Sequence, residues 1–276
     1  MFQLIKIEWL KIKRYPAFWG MIAIVTLSYP GLNYIIGRAY NQNVVNNTKN
    51  QVAQLAKFLL GNPFAFPETW HTIAYFSSFF VMIPAILVIM LATNEYNYKT
   101  HRQNIIDGWS RNEFITGKLM DVIIVSLLST LLYALVALAL GIYFDDGHLN
   151  RWAEQLQYIP YFFIQTFSQL SIAFLTGYLI KKAFIALGVY FFYSLILENI
   201  LVGYLSWNKI EAAKFLPFEM SDRIIPKPAF ISKFGKDLKD AYEKALDAIP
   251  EQIIYTVIFT ALIWFLCYKL HNRKDL

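Results

Sequence analysis

Charged positions in this chain are crowded into a few short stretches, and almost everything between them is apolar. Residues 17–36, 72–93, 122–144, 158–180, 183–205 and roughly 253–268 carry no charge or nearly none. A helix rises about 1.5 Å per residue, so about 20 such residues cross a hydrocarbon layer of ~30 Å. The pattern therefore predicts six membrane-spanning helices, at about 17–36, 72–93, 119–144, 158–180, 183–205 and 251–270. The last has only 16 uncharged residues, but Lys269 can snorkel from one end while Glu251 and Gln252 reach headgroups at the other. Membrane strands would alternate in segments of about ten residues. A solid run such as VIIVSLLSTLLYALVALALGIYF does not. The expected fold class is all-α, a polytopic membrane protein. The first span lies too far into the chain for a removable signal peptide, and is expected to stay.

The polar stretches are patterned too. MFQLIKIEWLKIKRYP places Phe2, Ile5, Trp9 and Ile12 on one side of a helix and Lys6, Lys13 and Arg14 on the other, up to Pro16. This predicts an interfacial helix over 1–15, the alternative being a leading extension of the first span. The stretch NEYNYKTHRQNIIDGWSRNEFITGK, 94–118, separates spans two and three. Its first half is compatible with helix up to Gly108, a residue type that commonly ends one. Ser110 and Glu113 then have capping-box spacing, with Trp109 and Phe114 at the positions of a hydrophobic staple. Together they predict a sharp helix start at Arg111 and a structured connector. Residues 206–250 form the longest polar segment, Pro-broken and apolar in KFLPFEM and IIPKPAF, then helical in SKFGKDLKDAYEKALDAIP. Residues 41–60 predict a surface helix with Val52, Leu55 and Leu59 on one side.

Composition agrees with a membrane protein: 57% hydrophobic and 16% charged, against about 45–50% and 25% in ordinary soluble domains. Net charge is +6. With the N-terminus inside, the short loops carry thirteen Lys and Arg inside and four outside. The segment 206–250 adds eight basic and seven acidic residues outside, but long segments translocate largely regardless of charge. Both termini are therefore expected in the cytoplasm, with the positive charge directed at anionic lipid and a cytoplasmic partner and not at nucleic acid.

Chemistry-bearing residues are few. His71, His101, His148 and His271 are scattered, and no H-E-x-x-H or G-x-S-x-G occurs. Asp145 and Asp146, with His148 nearby, read as a cation or headgroup site or as a polar loop cap. Glu198 is the one carboxylate well inside a span, where a charge costs on the order of 2.5–3.5 kcal/mol on insertion scales. It should face protein or water, either as a polar contact on a transport path or subunit interface or as a structural hydrogen bond. Pro30 and Pro84 lie inside spans and permit kinks. Cys267, the single cysteine, reads as a small packing residue. No G-x-x-x-x-G-K-[ST] is present, so this chain is not expected to bind nucleotide or to be an enzyme.

The connector residues Glu95, Thr100, Arg102, Gly108, Ser110, Arg111 and Lys118 resemble the corresponding segment of the ATP-binding-cassette type-2 export permeases. Lys99 stands where that family often has Gly. The N-terminal helix with Glu8, Lys11 and Arg14, the six spans and the long outer segment are similar as well. The resemblance implies that 1–276 is a single transmembrane permease domain in the cell membrane, exporting a substrate with ATP and magnesium held by a separate cytoplasmic ATPase. It implies a second permease subunit, as a homodimer or heterodimer. Residues 1–15 would be the elbow helix, 94–118 a cytoplasmic coupling segment and 206–250 an extracytoplasmic segment with short re-entrant helices. Glu95, Thr100, Arg102, Ser110, Arg111 and Glu113 would meet the ATPase, and Glu198 would lie on the path or interface. The alternatives are a secondary transporter, for which only Glu198 is a visible midplane ionisable group, or a membrane enzyme or assembly scaffold.

Overall fold

The computed structural model describes residues 9–10, 13–46, 51–98, 110–145, 147–232 and 236–273, and among them every regular element is helical. Helix α1 (Pro16–Tyr40) begins with Pro at its first position, where the missing N–H costs nothing, and runs through Pro30 without interruption. A π-helical turn, Asn41–Val45, extends it. Helix α2 (Gln51–Leu60) follows, exposing Leu55 and Phe58.

The second predicted span is broken. Helices α3 (Thr69–Ser78) and α4 (Met82–Asn97) meet at a bend of 48°. Pro84 supplies the cause: it has no N–H to give Phe80, and its ring would press on that carbonyl in a continuous α-helix. The chain instead tightens, with Phe80 N, Val81 N and Ile83 N donating to Ser77 O, Ser78 O and Phe80 O at 3.0–3.1 Å.

Helix α5 (Arg111–Tyr143) has 33 residues, about 50 Å at 1.5 Å each, and so overruns the bilayer. Helices α6 (Tyr158–Ile180), α7 (Ala183–Trp207) and α10 (Ile249–Arg273) complete the candidate spans. The bundle has five such helices, or six with the bent α3–α4 pair taken as one. Between α7 and α10 lie the short helix α8 (Pro217–Asp222), a single turn at Ala229–Ser232, and helix α9 (Lys236–Asp247).

Helix α6 is the hub, packing against α3, α4, α5, α7, α8 and α10. It is less apolar than α5, yet of the five unbroken candidate spans it is the most buried and α7 the least. A helix surrounded by protein has no need to satisfy lipid all round. It can place Gln165, Thr166, Ser168, Gln169 and Ser171 at positions 0–6% exposed. Helix α7 turns Phe184, Ile200 and Trp207 outward at 66–90% exposure, as a helix facing lipid or another apolar chain does.

Close approach of α4 and α6 depends on Gly177, where a Cβ would lie 3.1 Å from Ile89 O and from Ala92 Cβ. Ile89 O is backbone and cannot step aside. Gly177→Leu is therefore expected to separate α6 from α4 at a cost of about 1–3 kcal/mol. A lowered melting temperature of the detergent-purified protein would register this, and an unchanged one would contradict the packing.

Candidate functional site

One end of the bundle gathers the residues that flank the connector 98–110. Helix α4 keeps its turn through Asn97, so Glu95, expected at a contact surface, sits inside the protein at 6% exposure. Its Oε1 lies 2.6 Å from Lys118 Nζ on α5, and Lys118 is held from its own helix by Asp121 Oδ2 at 3.2 Å. All three side chains are at most 7% exposed. A buried ammonium between two carboxylates fastens the helix that leads into the connector to the helix that leads out of it, because none of the three tolerates apolar surroundings alone.

Helix α5 starts at Arg111. Ser110 is extended (φ −69°, ψ 156°), its Oγ accepts from Glu113 N at 3.2 Å, and Glu113 Oε2 accepts from Ser110 N at 2.8 Å. The reciprocal cap satisfies two orphan amide donors and fixes where the connector ends.

The base of α5 is then stitched to the end of α10. Arg111 Nη1 donates to Asn272 O at 2.8 Å, Asn272 Nδ2 donates to Asn112 Oδ1 at 3.0 Å, and Thr116 Oγ1 and Tyr268 OH share a hydrogen bond of 2.9 Å. Phe114 stacks on His271 at 5.0 Å, and His271 Nδ1 lies 3.2 Å from Tyr178 OH on α6. Tyr178 meets Tyr96 of α4 ring to ring, and Lys181 Nζ stands 4.9 Å from the Tyr96 centroid. Four helices thus share one floor beneath the connector. Arg14, Lys182 and Lys269 are exposed on this side. Trp9 packs edge-on against Phe18, and Trp19 Nε1 donates to Lys13 O at 2.9 Å.

Of the residues expected to act here, Glu95, Ser110, Arg111 and Glu113 converge on the floor, with Ser110 and Glu113 at its surface. Glu8, Lys11, Thr100, Arg102, Gly108 and Trp109 lie outside the described residues. The sequence reading missed Asp121 and the α10 partners. Asp121 had a signal: a carboxylate one turn beyond Lys118 at the mouth of an apolar run. Tyr268, His271 and Asn272 had none, since nothing local says which helix end they face.

The far end is organised around Glu198. Helix α7 widens to a π-helical turn at Phe192–Leu197, directly before it. Glu198 is 2% exposed, and its Oε1 accepts from Phe218 N and Glu219 N, each at 2.7 Å. These are first-turn amides of α8, which lack partners within the helix. Of the two readings for this carboxylate, the hydrogen-bonding one describes the geometry. Helix α8 is also gripped by α6, through Gln165 and Gln169 to Asp222 Oδ1 at 2.8 and 2.7 Å, and by α10, through Thr256 Oγ1 to Met220 O at 3.3 Å. His71 Nε2 reaches Pro226 O at 2.7 Å. Asp145 Oδ1 accepts from His148 N at 3.1 Å, as a loop cap does, and Asp146 lies outside the described residues. Among the described residues no group of three His, Cys, Asp or Glu is placed to hold a metal. Cys267 is fully buried.

The profile of the ABC-2 family transporter proteins matches residues 4–197, and the chain belongs to that family. It is a multi-pass membrane protein and a permease component of an ABC transporter, a part that serves transport and not catalysis. No curated protein matches the chain. The matched region takes in α1 to α6, the connector and the Glu95–Lys118–Asp121 cluster, and stops one residue before Glu198.

Replacing Lys118 by Met removes the ammonium that lies between the buried Glu95 and Asp121 carboxylates, a change expected to cost roughly 3–5 kcal/mol. Neutralising all three together, as Glu95→Gln, Lys118→Met and Asp121→Asn, is expected to recover most of that loss. Melting temperatures of the purified variants check both, and a triple variant no better than Lys118→Met would contradict the cluster.

Proposed function

We propose that this chain is the permease subunit of an ATP-driven exporter, with its connector face in the cytoplasm and both termini there. The ATP and magnesium are held by a separate ABC ATPase, which presses on the connector between α4 and α5. A second permease, identical or different, completes the translocation path, and the exposed faces of α1 and α7 meet that subunit or lipid. The membrane is the cell membrane, and the exposed Arg14, Lys182 and Lys269 suit its anionic inner leaflet.

The observation that carries this reading is the built base of the connector. A loop that only joined two spans would need no buried ion cluster, no reciprocal cap and no stitching to α10. A loop that must receive a push needs ends that cannot yield, so that displacement passes to the helices. Membership of the ABC-2 family supplies the kind of partner that pushes. The segment 94–118 is the coupling element, with Ser110, Arg111 and Glu113, and with Thr100 and Arg102, toward the ATPase. Residues 1–15, with Glu8, Lys11 and Arg14, form the elbow beside it. Glu95 acts one layer deeper by holding Lys118.

Affinity capture of the full chain from native membranes is expected to recover a soluble subunit that carries a phosphate-binding loop and hydrolyses ATP. Ser110→Ala with Glu113→Ala removes a cap worth ~1 kcal/mol and should lower that recovery several-fold with membrane insertion unchanged. Equal recovery would count against coupling through this cap.

A further inference from the structure

Helix α10 lies beyond the region matched to the family, yet it touches both ends of the machinery. One stripe of it is buried along its whole length: Gln252, Thr256, Thr260, Trp264, Cys267 and His271 are 0–6% exposed. On the other side Ile254, Ile258 and Phe265 are 53–61% exposed. The buried stripe advances by three or four residues at each step, so it keeps one face through the bundle.

That face is fixed at three levels. At the connector floor, Tyr268, His271 and Asn272 meet Thr116, Phe114, Asn112 and Arg111 of α5. In mid-helix, Trp264 Nε1 donates to Ser171 Oγ at 3.0 Å and its ring stacks on Phe174 at 5.0 Å, locking α10 to α6. At the far end, Thr256 holds Met220 O while α6 holds Ser221 and Asp222 through Gln169 and Gln165. From Tyr268 to Thr256 is about 18 Å of helix.

We propose that α6 and α10 move as one block that carries displacement of the connector base to helix α8 at the far end. This rests on the reading that an ATPase acts at the connector. Close-packed helices transmit a shift along their length without absorbing it, and among the described residues α8 is held on one side by this block and on the other by α7, through Glu198 and through Tyr190 and Tyr193 against Phe218. Displacing the block relative to α7 would therefore pull α8 between two sets of hydrogen bonds and change access to the far end. Tyr268 and Asn272 are positioning residues of this relay at its input, and Thr256 at its output.

The test uses the full chain purified with its ATPase and placed in liposomes, with Leu216→Cys, at the N-cap of α8, as reporter. The native Cys267 is buried and gives little background with a membrane-impermeant maleimide. The rate of labelling is expected to differ several-fold between the nucleotide-free complex and the complex trapped with ATP and vanadate. Tyr268→Phe with Asn272→Ala, and separately Thr256→Val, should each bring that ratio close to one with ATP hydrolysis and the nucleotide-free labelling rate retained. A merely structural role would move the nucleotide-free rate and leave the ratio. The proposal is overturned if the unaltered complex shows no nucleotide-dependent labelling, or if both variants keep the full ratio. Failure to recover any ATPase with the chain would instead overturn the function proposed above.

Discussion

The Lys118 ammonium, held between the carboxylates of Glu95 and Asp121, is the interaction on which the connector end depends. An ion in a bundle of apolar helices must find its counter-charge within the protein. Here the counter-charges come from two different helices, so solvation of one side chain becomes a joint between α4 and α5. The connector leaves α4 at Asn97 and enters α5 at Arg111. With the joint beneath and the Ser110–Glu113 cap above, the two ends keep a set separation.

The same constraint shapes the other end by different means. Helix α8 is too short to satisfy its own amides, and Glu198 receives two of them. Glu198 is itself a carboxylate inside a span, and the π-helical turn before it belongs to the stretch of α7 that presents it to α8. Each group answers the other's requirement. The polar face of α6 meets α8 from the opposite side. Polar residues in this bundle thus collect at joints between helices, and of the five unbroken candidate spans α1 and α7 are the least buried.

Much of this was legible in the chain. Apolar runs of membrane length announced the helices, and the S-x-x-E spacing placed the start of α5 at Arg111 because capping is a local matter of four residues. Of the two prolines that permitted kinks, Pro84 stands beside a bend and Pro30 stands in an uninterrupted helix. The burial of Glu95 was not legible, since a carboxylate two residues past an apolar run reads as surface until the position of Lys118 in space is known. Nor was the docking of α10 on α5, because Arg111 and Asn272 are separated by 161 positions and no periodicity pairs them. The partner of Glu198 was hidden likewise: the sequence shows a charge that needs an answer, but the answer is a backbone, which has no signature. Local chemistry was readable and long-range pairing was not.

In the function proposed above, an ATP-hydrolysing subunit bears on the connector end of the bundle. Tyr98 is 74% exposed at the start of the connector, and Trp207 is 88% exposed at the opposite end of α7. A photo-activated cross-linking residue at each position, irradiated in native membranes and followed by sequencing of the adducts, compares the two ends directly. The expected result is an ATPase with a phosphate-binding loop joined at Tyr98 and not at Trp207. Adducts at Tyr98 that contain only lipid or other chains, or an ATPase joined at Trp207, would contradict it.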